Sequence, residues 1–209
     1  MGNGMNKIMP GLYLGNFRDA KDQKQLDENK ITHIVAIHDQ PKPILDNIQY
    51  KNIDAADSAN EKLNIYFEDC AQFIHRARLE GGNVLVHCIA GISRSTTICC
   101  AYIMIISGVH WSDAILACRK ARSQVNPNYG FQRQLQEFEA KITKVRQDLI
   151  QTVGPLNEED KKFLTEQIAS FDETQDLKSE IDKDNFLGTT STFGSYERKR
   201  VDNNQLPDE

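Results

Sequence analysis

The spacing of apolar and polar positions changes several times along the chain, and each change marks an element. "GLYLGN" at 11–16 predicts a short strand and a turn. "DAKDQKQLDENK" at 19–30 predicts a helix with Asp19 as its cap. "ITHIVAI" and "IQYKNID" are β-branched, largely apolar runs that predict strands at 31–37 and 48–54, with Pro41 and Pro43 between them. From Leu63 the apolar residues Leu63, Phe67, Phe73, Ile74 and Ala77 recur near helical spacing, so an amphipathic helix is expected over 62–82, ending at Gly81-Gly82. "NVLVHC" then predicts a short buried strand. Helices are expected over about 94–107, 112–123 and 129–148. One more, capped by Asn157, is expected after the Gly154-Pro155 break. Strands alternating with helices favour the α/β class. Beyond about Asp172 the chain is polar, and it is expected to be disordered. There is no internal repeat.

Composition narrows this picture. The 209 residues are enough for one good core with a tail, and 39% hydrophobic with 26% charged residues is an ordinary soluble balance. The formal charge of −5 is unevenly spread: from Arg146 onward 8 Lys and Arg face 15 Asp and Glu, so the acidity sits in the tail. No stripe of Lys and Arg interleaved with aromatics occurs, which argues against nucleic acid as a partner. The five cysteines, Cys70, Cys88, Cys99, Cys100 and Cys118, are odd in number and lack metal-ligand spacing. Neither a disulfide framework nor a metal site is expected, and a reducing, intracellular compartment is. The chain does not open on a secretory leader. "TTICCAYIMIISG" is too short to span a bilayer and reads as a buried helix.

The chemistry concentrates in "HCIAGISRS", His87–Ser95. A strand, a tight glycine-bearing loop and a helix in that order aim successive backbone N–H groups and a helix N-terminus at one spot, where an anion would sit. Cys88 opens the loop, and those N–H groups, the helix dipole and the Arg94 guanidinium all favour its thiolate. The planar fork of Arg94 also matches two phosphate oxygens. The expectation is therefore thiolate attack on phosphorus, giving a cysteinyl-phosphate, with the loop residues Ile89, Ala90, Gly91, Ile92 and Ser93 stabilising the equatorial oxygens. Asp57, on a loop after a strand, is the candidate acid for the leaving group and later the base for water. Ser95 is placed to hydrogen-bond the departing thiolate. His87 is expected to orient the loop as a buried histidine, and the other four cysteines to pack. No cofactor or metal is called for.

At these residues the chain resembles the cysteine-dependent protein phosphatases, whose loop is His-Cys, five residues, Arg. Ala-Gly before Ser-Arg-Ser is similar to the dual-specificity branch. So are "ADS" at 56–58 and "NPNYGFQRQL" at 126–135, and the likeness runs from about Met5 to Ile142. The resemblance implies a mostly parallel central sheet flanked by helices, with Cys88 as nucleophile, Arg94 as phosphate clamp, Asp57 as general acid and Asn128 supporting the active-site region. The opening "MGNGMNKIMPGLYLGN" resembles the small atypical members that carry a myristoylation signal, which makes Gly2 the acceptor. The simple pattern wants Ser or Thr at the sixth position, where this chain has Asn6.

The organisation expected is a lipidation segment at 1–4, a dual-specificity phosphatase domain at 5–148 and an acidic tail at 149–209, with one helix and then disorder. The substrates implied are phosphotyrosine and phosphoserine or phosphothreonine in signalling proteins, including MAP-kinase pathway members. The place implied is the cytoplasm, with reversible attachment to the plasma membrane through one acyl chain. Two other readings stay open: a phosphoprotein-binding adaptor with little turnover, and a phosphoinositide phosphatase. The second is disfavoured because the loop contains no Lys.

Overall fold

The computed structural model describes residues 4–170; Gly2 and the chain beyond Asp172 lie outside the described residues. Strand β5 (Asn83–His87), the "NVLVH" run, lies in the middle of a five-stranded sheet, because its apolar side chains are covered on both faces. The other strands are β1 (Asn6–Met9), β2 (Leu12–Gly15), β3 (Ile31–His38) and β4 (Gln49–Asp54), and the order across the sheet is β1-β2-β5-β3-β4. β2, β5, β3 and β4 pair parallel, and β1 joins β2 antiparallel at one edge. Parallel neighbours need crossover connections; helices supply them except between β3 and β4, which residues 39–48 join without a helix.

The strand period of two sorts side chains between two cores. Val84 and Val86 of β5, with Val35 and Ile37 of β3, face the larger one. Leu85, Ile34 and Ala36 face the smaller, where Leu26 of α1 (Gln23–Glu28) covers them. The larger core holds α2 (Phe67–Leu79), α3 (Arg94–Ser107), α4 (Trp111–Ala121), α5 (Tyr129–Phe138), α6 (Ile142–Thr152) and α7 (Glu158–Ala169). Every residue of α3 is buried, so the long apolar run is the central core helix. Among the described residues no single helix is long and apolar enough to cross a membrane.

The elements depart from the pattern reading where local geometry overrides it. β1 was not expected from its polar start; it survives as an edge strand by burying Ile8 and Met9. Residues 19–30 are not one helix. A 3-10 turn at Asp19–Lys21 comes first, and Asp22, not Asp19, caps α1 by accepting from the Gln25 N–H. Asp19 instead is buried and accepts the Asn16 N–H at 2.8 Å, which holds the turn after β2. The amphipathic stretch from Lys62 begins as a 3-10 turn at Leu63–Tyr66 before α2. The expected 129–148 helix is interrupted by a 3-10 turn at Glu139–Lys141. α7 forms as expected, with the Asn157 side chain accepting the Glu159 N–H.

Candidate active site

β5 delivers His87 and then Cys88 to the carboxyl end of the sheet, the place where open α/β sheets put their sites. The chain then turns through Ile89–Ser93 into α3. Gly91 makes the turn with φ +71°, and a Cβ there would lie 2.5 Å from the Gly15 carbonyl oxygen, so only glycine fits. Ile89 is half exposed at the mouth of the loop, while Cys88, Ser93, Arg94 and Ser95 are buried.

The loop is held by its carbonyls. Ile89 O accepts from the Phe17 N–H (3.2 Å) and Ile92 O from the Asn126 N–H (3.0 Å). Arg122 donates from Nη2 to Ala90 O (3.4 Å) and from Nε to Gly91 O (3.0 Å). In a trans peptide the N–H points opposite the C=O, so tying four consecutive carbonyls outward turns the amides of residues 90–93 inward. The Gly91 N–H accordingly donates to Cys88 Sγ at 3.2 Å, and the Ser95 hydroxyl donates to the same sulfur at 3.2 Å.

These donors decide the charge of the thiol. Burial alone raises its pKa, but the Ser95 hydroxyl and the backbone N–H groups of Ser95, Ile92 and Gly91 outweigh it, and the net direction is down. Cys70, Cys99 and Cys100 contrast with it. All five are free and buried; burial pushes Cys70 up to about 12, and Cys99 and Cys100 well above the ordinary thiol value. His87 is also fully buried, which lowers its pKa to about 4 and leaves it neutral. Its Nδ1 lies 3.2 Å from Cys88 O, so it sits under the loop rather than in it.

Arg94 opens α3 and is anchored by Nη1 donating to Ala55 O at 3.0 Å. Its Nε is buried with no hydrogen-bond partner among the described residues, and it lies 3.6 Å from Asp57 Oδ2. Asp57, on the loop after β4, is held from both sides. Its Oδ1 accepts from the Ser93 hydroxyl (2.7 Å) and from Asn128 Nδ2 (2.9 Å). Asn128 caps α5 through Oδ1, which accepts the Phe131 N–H, and its own N–H donates to Ser93 Oγ at 3.1 Å. The backbone at Gly130 closes against Ala59 of the same loop.

The structure thus brings Cys88, Ser93, Arg94, Ser95, Asp57 and Asn128 into one constellation and sets His87 beneath it. Sequence reasoning missed the parts that act through backbone groups: Arg122, the Phe17 amide and the Ala55 carbonyl. The first has only a basic residue near a helix end as its signal, and the other two have none. Among the described residues no cluster of His, Cys, Asp and Glu is arranged to hold a metal ion.

Comparison with known proteins agrees with this arrangement. The family "Dual specificity phosphatase, catalytic domain" matches residues 12–141. Dual specificity protein phosphatase 22 of Homo sapiens is 52% identical over 155 residues, 74% of this chain and 84% of that one. Dual specificity protein phosphatase 15 of Mus musculus is 49% identical over 168 residues, 78% and 72% of the two chains. A crystal structure of DUSP15 superposes with a TM-score of 0.71 at 51% identity, covering 73% of this chain and 99% of that one. A mouse putative dual specificity phosphatase, solved as a complex with zinc tungstate, gives 0.65 at 29% identity, covering 71% and 93%. The family match over residues 12–141, together with relatives of this identity and a superposing fold, makes the chain, whose mostly parallel sheet presents a donor-ringed thiol at its carboxyl end, a member of the dual specificity phosphatase family, the cysteine-dependent protein phosphatases.

Proposed function

We propose that Cys88 is the nucleophile, Arg94 the phosphate clamp and Asp57 the acid and base of phosphoprotein hydrolysis. One observation carries the assignment: a thiol that accepts from the Gly91 N–H and the Ser95 hydroxyl belongs to the same loop as a buried guanidinium whose Nε makes no hydrogen bond among the described residues. A phosphate monoester supplies the missing acceptor, and two of its non-bridging oxygens fit the fork of Arg94. The Cys88 thiolate attacks phosphorus in line, forming the S–P bond as the ester P–O bond breaks. The proton of the Asp57 carboxyl goes to the departing oxygen. In the second step the Asp57 carboxylate takes a proton from water, the resulting hydroxide oxygen bonds to phosphorus, and the S–P bond breaks. Ser95 then hydrogen-bonds the restored thiolate. The inward amides of Ala90, Gly91, Ile92 and Ser93 offset the charge on the equatorial oxygens throughout.

Ser93 and Asn128 keep Asp57 at the mouth, with Oδ1 fixed and Oδ2 toward Arg94. The half-exposed Ile89 beside the thiol suits a shallow site that accepts both phosphotyrosine and the shorter phosphoserine and phosphothreonine. The substrates this reading favours are phosphorylated signalling proteins, with MAP-kinase pathway members as one class. Gly2 is proposed as the acyl acceptor, and one chain with few nearby basic residues holds the enzyme reversibly on the cytoplasmic face of the plasma membrane.

The test is phosphate release from matched phosphotyrosyl and phosphothreonyl peptides. Cys88→Ser is expected to abolish release, and Asp57→Ala to slow it about 10²- to 10⁴-fold, the usual worth of a positioned acid. Turnover that survives Cys88→Ser would remove the mechanism, and binding of the peptides without turnover by the unmodified chain would favour an adaptor.

A further inference from the structure

An arginine that serves a phosphate loop from behind has carbonyl oxygens, not phosphate oxygens, for partners. Arg122, at the end of α4 and 4% exposed, is such a group. Its Nε donates to Gly91 O, and its Nη2 to Ala90 O. Its Nη1 donates to Gly4 O at 3.0 Å and to Asn6 Oδ1 at 2.8 Å. The Gln124 amide, oriented to hydrogen-bond, places its oxygen 2.6 Å from Nη2. A guanidinium has five N–H donors, and these partners use all of them. None remains for a substrate, so Arg122 holds the loop without touching phosphate.

Two of the four outward carbonyls of the loop therefore depend on one side chain, and the amides coupled to them are those of Gly91 and Ile92, both of which lower the Cys88 pKa. The other half of the Arg122 grip is the beginning of the chain. Asn6 starts β1 and pairs with Leu14 of β2, one residue before the Gly15 carbonyl that abuts Gly91. Met5 N–H donates to Gln25 Oε1 of α1 at 3.0 Å, which seats the same segment from its other side.

We propose that Arg122 is a positioning residue for dephosphorylation and that Gly4–Asn6 complete its hold, so the anion affinity of the loop depends on how the N-terminal segment is seated. This rests on the reading of Cys88–Arg94 as the catalytic loop. Whatever engages Gly2 acts two residues from the bracket.

The experiment uses the full chain, unmodified and as Arg122→Lys, Asn6→Ala and Asn6→Asp. It reads kcat and KM on a phosphotyrosyl peptide, inhibition by vanadate, the pH profile of Cys88 alkylation by iodoacetamide, and Tm. Lys keeps the charge but supplies its donors from a single nitrogen, which cannot span Gly91, Ala90, Gly4 and Asn6 together. Arg122→Lys is expected to lower kcat/KM about 100-fold, the cost of misplacing reacting groups by about an ångström. It also weakens vanadate and moves the alkylation profile to higher pH. Asn6→Ala moves all three the same way by about fivefold, the worth of one hydrogen bond. Asn6→Asp keeps an oxygen acceptor and recovers most of that loss. Vanadate inhibition and an alkylation profile unchanged in Arg122→Lys or Asn6→Ala would overturn the proposal. So would a lower Tm with no change in either. If the unmodified chain alkylates early in pH yet releases no phosphate, the catalytic reading fails and the bracket stands or falls on the alkylation profiles alone.

Discussion

Burial alone would push the Cys88 thiol up as it does those of Cys70, Cys99 and Cys100, and the donors around it reverse that outcome. The sign of the pH effect follows. Only the thiolate alkylates, and a pKa lowered from the ordinary thiol value keeps the thiolate populated at pH values where a free thiol is protonated. The rate constant for Cys88 with iodoacetamide is thus expected to reach its plateau before that of a free cysteine and to fall only at lower pH. Ser95→Ala removes the hydroxyl donor at 3.2 Å and shifts the profile upward. A profile that coincides with free cysteine would contradict the arrangement. Cys88 and Arg94 were legible in the sequence because their chemistry lies in side chains at a fixed spacing within one loop. Arg122 was not, since its partners in the loop are backbone carbonyls, and a carbonyl oxygen is the same at every residue.

At the level of elements, the acid loop is positioned by contact rather than by its own sequence. Gly130, in the first turn of α5, lets that helix close on Ala59, and a Cβ at this position would overlap the Ala59 carbonyl oxygen. Gly130→Ala is expected to push the loop away and to break the Asn128–Asp57 hydrogen bond, because Asn128 caps the same helix. The loss has a signature: protonating the leaving group matters most for poor leaving groups. Steady-state rates are therefore expected to fall roughly tenfold or more on an alkyl phosphate or phosphopeptide, and much less on p-nitrophenyl phosphate. Equal losses on both would assign the effect to the phosphate loop instead. The helices that read well from the pattern are those whose ends are marked by their own residues, as with Asn157 for α7 and Gly108 after α3. The break at Glu139–Lys141 carries no such mark, and β1 exists only because β2 is there to pair with it.

For the molecule as a whole, the chain beyond the matched domain is part of its stability. The family match ends at residue 141, yet Leu164 of α7 is buried in the main core. Asp160 of the same helix meets Arg78 of α2 at 2.8 Å, with both side chains nearly buried. Arg78 also donates to the Tyr102 hydroxyl (2.7 Å) and to Pro10 O (3.0 Å), and His75 bridges Tyr102 to Pro155 O. The latch therefore ties α7 to α2, α3 and the β1–β2 turn, at the end of the parallel strands opposite Cys88. Deleting one partner of a buried pair strands the other charge. Asp160→Ala is expected to lower the unfolding free energy by about 3–5 kcal/mol in urea titration. Replacing both charges, as in Arg78→Met with Asp160→Leu, is expected to recover part of that loss, since no buried charge is then left unpaired and only the neutral Tyr102 hydroxyl and Pro10 carbonyl lose a donor. Because the latch lies away from the thiol, kcat measured well below the unfolding temperature stays unchanged in either variant. A single-site loss no larger than that of an exposed pair, below about 1 kcal/mol, would show that α7 is held by its apolar face alone.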